Sequence, residues 1–118
     1  MEKKYTWLRI AETVADLEFP ESNIIEQTVA GRKFCLVLHK GQVTACSQTY
    51  PHAGGRLASG YVDASGNIVC PIHRYKFNLN NGRNISGEGY YLKTFPVEIR
   101  EGGVFVGFEE NNFFNWLK

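Results

Sequence analysis

The chain lacks what several common protein classes require. Its cysteines are only three, Cys35, Cys46 and Cys70, an odd number at unpatterned spacing that gives no disulfide framework and agrees with a reducing compartment. Nowhere is there an apolar run long enough to span a bilayer, and Met1-Glu2-Lys3-Lys4 is not followed by the apolar core of a signal peptide. The expectation is a soluble, cytoplasmic protein with no membrane partner. Charge bias is missing too: thirteen Lys and Arg face twelve Asp and Glu, for a net charge of +1, with no basic run. A general electrostatic reason to bind nucleic acid is therefore absent.

Helical periodicity is the last absence. No segment before residue 109 carries a convincing helical stripe, and what stands in its place is a series of short strands with glycine turns. Tyr5 to Ala11 reads as a first strand, Val14 to Phe19 as a turn with a short apolar contact, and Asn23 to Val29 as a second strand. Arg32 to His39 and Gln42 to Cys46 read as a hairpin joined at Lys40-Gly41. Gly60 to Gly66 supplies a strand fragment and turn, and Asn67-Ile68-Val69 leads into Cys70. Tyr75, Phe77 and Leu79 alternate with Lys76 and Asn78 as in a half-buried strand, closed by Asn80-Asn81-Gly82. Asn84 to Tyr90 reads as loop. Tyr91 to Arg100 reads as one strand with Phe95, Val97 and Ile99 on one face, Pro96 implying an edge or irregularity. Glu101-Gly102-Gly103 turns into a last strand, Val104 to Phe108. At 118 residues the chain is expected to be one all-β domain, 1–118, built as a small antiparallel sandwich or partly open barrel. In the tail, 109–118, Phe113, Phe114, Trp116 and Leu117 are apolar enough to be expected as a flap over a sheet face, or else as a contact for a partner.

The chemistry concentrates between Tyr50 and Phe77. His52 lies in Pro51-His52-Ala53-Gly54-Gly55, and Cys70 and His73 lie in Cys70-Pro71-Ile72-His73, with seventeen residues between His52 and Cys70. Imidazole and thiolate select zinc, copper and iron–sulfur centres over hard cations, so convergence of His52, Cys70 and His73 implies a transition metal. The glycines permit the sharp first turn, and two residues between Cys70 and His73 let both side chains point the same way from one tight loop.

Pro51-His52-Ala53-Gly54-Gly55 with Leu57, and Cys70-Pro71-Ile72-His73 with Tyr75, Phe77 and Gly82, resemble the two ligand loops of the Rieske ferredoxin family. Its [2Fe–2S] centre is held by C-x-H on one loop and C-x-x-H on the other. The resemblance runs from about Trp7 to Phe108 and implies the Rieske fold, with two ligand loops each following a strand at one end of a small sheet. It also implies a cluster held by His52 and His73 on the outer iron and Cys70 on the inner one, with Tyr75 among the groups that tune it. The family's first cysteine is here Tyr50. A phenolate binds ferric iron in catalase haem, yet its oxygen lies farther from the backbone than a cysteine sulfur and does not substitute in place. Cys46, four residues upstream, is either a fourth ligand or a small apolar residue packed at a strand end. Cys35 reads as core and His39 as a turn residue.

What the resemblance implies for function is a small one-electron carrier. It would pass reducing equivalents between a reductase and a terminal oxygenase or reductase, with an incomplete ligand set and no substrate chemistry of its own. Two other readings stay open. One is a cluster-free Rieske-like interaction subunit, as in the small subunit of some nitrite reductases. The other is a mononuclear zinc or iron site on His52, Cys70 and His73 with an open position.

Overall fold

Phe34-Cys35-Leu36-Val37 places four apolar residues in a row, and a strand of that composition must be covered on both faces. In the computed structural model, which describes residues 4–48, 56–70, 74–85 and 91–110, all four are fully buried. The described residues form ten strands: β1 (Tyr5–Ala11), β2 (Ile24–Val29), β3 (Arg32–His39), β4 (Gln42–Cys46), β5 (Tyr61–Val62), β6 (Asn67–Val69), β7 (Lys76–Asn78), β8 (Thr94–Phe95), β9 (Val97–Arg100) and β10 (Gly103–Glu109). Their helical structure is limited to single 3-10 turns at Ala15–Leu17 and Leu57–Ser59.

The strands make three antiparallel sheets, ordered β1-β10-β9, β2-β3-β4-β8 and β5-β6-β7. The four-stranded sheet is the middle layer, and the two-residue period of its strands divides its side chains between two cores. Phe34, Leu36, Val43 and Ala45 face Val106, Phe108 and Leu17 on one side. Ile24, Cys35, Val37 and Cys46 face Ile68, Cys70, Phe77, Leu79 and Leu92 on the other. The first core is knit by aromatic rings, Phe108 lying 5.5 Å from Phe34 and 4.9 Å from Phe95. The all-β antiparallel architecture is the expected one, and the sheets stack without closing into a barrel.

Three local expectations need correction. Tyr91 to Arg100 is not one strand. Pro96 divides it, so that β8 pairs with β4 in the middle sheet and β9 with β10 in the outer one. Proline cannot donate to a ladder, although its carbonyl still accepts from the Gly107 N–H at 2.9 Å. The face assigned to Phe95, Val97 and Ile99 fails with it, because Ile99 on the edge strand β9 is 64% exposed. The two cysteine-bearing strand ends also do not share one small sheet, since β4 belongs to the middle layer and β6 to the three-stranded one. Finally, the 3-10 turn at Leu57–Ser59 was not anticipated. Of the tail expected as a flap, Glu109 is the last residue of β10, and residues 111–118 lie outside the described residues.

Candidate metal centre

Each of the two segments expected to carry ligands is closed at its base by a backbone hydrogen bond. The Leu57 N–H donates to the Gln48 carbonyl at 3.0 Å, and the Cys70 N–H to the Tyr75 carbonyl at 2.8 Å. The bases are fixed further by side chains. The Gln48 amide donates to the carbonyls of Gln27 and Phe34, both at 3.2 Å, and Arg56 forms a two-pronged ion pair with Glu26 of β2. That carboxylate, through its hydrogen bond and then its charge, raises the Arg56 guanidinium above its ordinary range.

Both bases also rest on one apolar cluster. Leu57, Cys70 and Phe77 are fully buried there, with Tyr75 and Ala58 packed against it. Close backbone approach makes this possible at two glycines. A Cβ on Gly60 would lie 1.9 Å from the Val69 carbonyl oxygen, and one on Gly82, at φ +75°, would lie 1.7 Å from that of Leu92. Neither position admits a side chain without backbone movement.

Cys70 follows β6 directly and, by the two-residue period, shares the inward face of Ile68. Tyr75 stands across from it, half-buried, its side chain on the inward face of Phe77. The remaining expected site residues, Tyr50, His52 and His73, lie outside the described residues; of the two that are described, Cys70 and Tyr75, the structure brings both together.

Cys46 is in a different position. It is paired in the ladder with Cys35 on one side and Thr94 on the other, and it is 1% exposed. A hydrogen bond with the Cys35 thiol, then burial, then the charge of Cys35, holds the Cys46 thiol well above its ordinary range. Among the described residues no group of three or more His, Cys, Asp or Glu side chains is arranged to hold a metal ion. Cys35 is fully buried core, and His39 ends β3 at a tight turn whose Lys40 and Gly41 both have left-handed φ.

Comparison with known proteins identifies the family. Residues 6–96 match the Rieske [2Fe-2S] domain. The chain belongs to the Rieske [2Fe-2S] domain family. Among curated relatives, the ferredoxin component of the naphthalene 1,2-dioxygenase system of Pseudomonas aeruginosa is 28% identical over 96 residues, covering 80% of this chain and 91% of that protein. The ferredoxin component of the alkene monooxygenase system of Xanthobacter autotrophicus is also 28% identical, covering 81% of this chain and 77% of the relative. Of solved structures, a chain in the complex of reduced oxygenase and oxidized ferredoxin in carbazole 1,9a-dioxygenase superposes with a TM-score of 0.71 at 26% identity, covering 89% of this chain and 95% of that one. A chain described as an NADH-dependent nitrite reductase small subunit from Mycobacterium tuberculosis superposes at 0.75 with 19% identity, covering 92% and 99%. That last likeness concerns the Rieske fold alone.

The loop bases are the functional parts that the residue pattern did not reveal. Leu57 belongs to the motif, but the pairing of Arg56 with Glu26, thirty positions apart, leaves no mark in local sequence. Leu92 likewise enters the site's cluster from a segment that read only as strand.

Proposed function

We propose that this protein is a one-electron carrier of the Rieske ferredoxin type, which accepts an electron from a reductase and delivers it to a terminal oxygenase. The observation that carries the reading is the Cys70 hairpin tip. A buried thiol sits one residue past a strand, in a turn whose N–H is already engaged with Tyr75, inside a chain that matches the Rieske domain over residues 6–96. Curated relatives that are ferredoxin components of oxygenase systems support the same role. In this reading the protein forms one domain, works in the reducing cytoplasm, and carries out no substrate chemistry itself.

The donor set fits a [2Fe–2S] group except at one place. Cys70 would hold the inner iron, His52 and His73 the outer one, and Tyr75 would tune the site as a neighbouring hydrogen-bonding group. When bound, such a cluster supplies a one-electron couple. Tyr50 stands where the family's first thiolate is expected, while Cys46 lies within the ladder between Cys35 and Thr94 and packs as core. Occupancy is therefore partial and the cluster easily lost. Tyr50 also favours a second reading, a cluster-free domain used for interaction.

One assay separates the readings. Protein purified without oxygen is expected to hold less than stoichiometric iron with matching labile sulfide, and Tyr50→Cys, after reconstitution, to raise both with the appearance of a Rieske absorption spectrum. Absence of iron and sulfide from both proteins would favour the interaction domain. Metal without sulfide would favour a mononuclear site on His52, Cys70 and His73.

A further inference from the structure

The even overall charge conceals a segregation along the chain. Residues 49–93 hold five Lys and Arg against two Asp and Glu, while the rest of the chain holds eight against ten. The basic part includes the small sheet, and cross-strand registry determines which of its side chains face outward. Val62, Ile68, Phe77 and Asn84 form one row across the strands, and Ile68 and Phe77 turn into the core. The rows on either side must face the other way, although their β6 members, Asn67 and Val69, are 4% and 1% exposed, so what reaches solvent comes from the flanking strands. One contains Tyr61, Val69 and Lys76, extended by Ile85, whose N–H donates to the Lys76 carbonyl at 2.9 Å. The other contains Asn67, Asn78, Arg83 and Tyr91.

That outward face is apolar at its ends and basic between them. Tyr61, Ile85 and Tyr91 are 55%, 52% and 66% exposed, three of the four large hydrophobic residues exposed among the described residues. Lys76 and Arg83, in those rows, are exposed, as is Arg74 in the turn before β7, where φ is +53°. Asp63, whose carboxylate lies 3.8 Å from the Lys76 ammonium, is the single acidic side chain among described residues 56–85. Grouped aromatic and aliphatic side chains with cations around them match the composition of a protein contact surface, and clustered charge of one sign steers a partner of the other. Tyr61 and Lys76 both pair with Val69, the residue preceding Cys70.

We infer that the outward face of β5-β6-β7, with Tyr61, Ile85 and Tyr91 as contacts and Arg74, Lys76 and Arg83 as steering charges, docks an acidic surface of the redox partner protein. The inference rests on the carrier reading, and its test separates the two. First, the protein as purified is titrated with a polyglutamate peptide and followed by nuclear magnetic resonance. Signals of Arg74, Arg83, Tyr91 and Tyr61 are expected to shift, and those of Arg9, Lys40 and Arg100 to stay. Equal shifts at both ends, or none, would overturn the docking face, as would movement of the Tyr61, Ile85 and Tyr91 signals on dilution alone, which would make it a contact between copies.

Second, the reduced protein is mixed with an anionic iron(III) cyanide complex and, separately, a cationic cobalt(III) phenanthroline complex. One electron passes from protein to complex in each case. Added salt is expected to slow the anionic reaction and speed the cationic one. Arg74→Glu/Arg83→Glu should reverse both salt trends and slow the anionic reaction about tenfold, while Lys40→Glu leaves it unchanged. An equal effect of Lys40→Glu would assign the rate to net charge and overturn the proposal. A chain with no reducible centre fails the carrier reading only, and the peptide titration then decides.

Discussion

Two buried cysteines stand where a strand gives way to a loop, Cys46 at the end of β4 and Cys70 just past β6, and their circumstances differ. Cys46 is the last residue of β4 and still part of the ladder, facing Cys35 across the strand pair with Thr94 on its other side. Cys70 lies one residue beyond β6, where its N–H has left the ladder for the Tyr75 carbonyl at 2.8 Å. Both side chains enter the same apolar cluster. Burial alone therefore does not distinguish the two. What separates them is their place in the backbone: Cys46 stays in the ladder opposite Cys35, whose thiol, with burial, holds the Cys46 thiol above its ordinary range, whereas Cys70 stands beyond its strand with its N–H on Tyr75.

The sharpest way to break this comparison is to remove each thiol in turn. Cys70→Ala is expected to lose nearly all bound iron, and Cys46→Ala to keep the wild-type amount at a cost of about 1 kcal/mol in stability. Iron analysis after anaerobic purification, with thermal unfolding beside it, reads both. Loss of iron from Cys46→Ala would put that residue in the centre after all. Next in size is Gly60→Ala. Its Cβ would meet the Val69 carbonyl at 1.9 Å, forcing apart the base of the first segment and the end of β6, so a loss of about 2 kcal/mol is expected from denaturant unfolding. An unchanged midpoint would mean that the two bases are not pressed together.

The sequence was most legible where the two-residue period was strict. Tyr75, Phe77 and Leu79 against Lys76 and Asn78 foretold the inward face of β7, and the apolar run Phe34 to Val37 marked a strand in the interior. Legibility failed where one residue changes the partner of a strand. Pro96 was visible as an irregularity, yet nothing local says that the chain before it joins the middle sheet and the chain after it an outer one. At the candidate centre, composition pointed to Cys70 because its neighbours are Pro71 and His73, but the different state of Cys46 depends on Cys35, eleven positions away and adjacent only once β3 and β4 pair. The charged, aromatic outer face was illegible for a related reason. Arg74, Arg83 and Tyr91 are dispersed along the chain and come together only through the ladder.

A third expectation concerns pH. Because the folded chain holds the Cys46 proton above the ordinary thiol range and the unfolded chain releases it near pH 8.5, the unfolded state binds fewer protons at alkaline pH. Stability is then fully present below that value and lost as pH rises through and beyond it. Cys46→Ala should make the alkaline decline shallower, as measured by urea midpoints at pH 7 and pH 9.5. Equal slopes for the two proteins would show that Cys46 is not held neutral.

The smallest effect belongs to the far end of the β5–β6 hairpin and serves as the control for the rest. Burial would raise the Asp63 carboxyl, but the N–H and side-chain amide of Asn67, the N–H of Ser65 and the Lys76 ammonium outweigh it and hold the carboxyl below its ordinary range. The stabilisation is thus present above the usual aspartate value and fades as pH falls through the lowered one. Asp63→Asn keeps an oxygen for the Ser65 and Asn67 N–H groups but loses the charge and the second oxygen, which accepts from the Asn67 amide at 3.2 Å; with solvent screening the expected cost at pH 7 is about 0.5 kcal/mol, falling as the pH drops. Iron content should not change, since the turn lies at the opposite end of β6 from Cys70. A fall in iron would mean that the strand transmits strain along its length, and that the hairpin tip is not held by its own base.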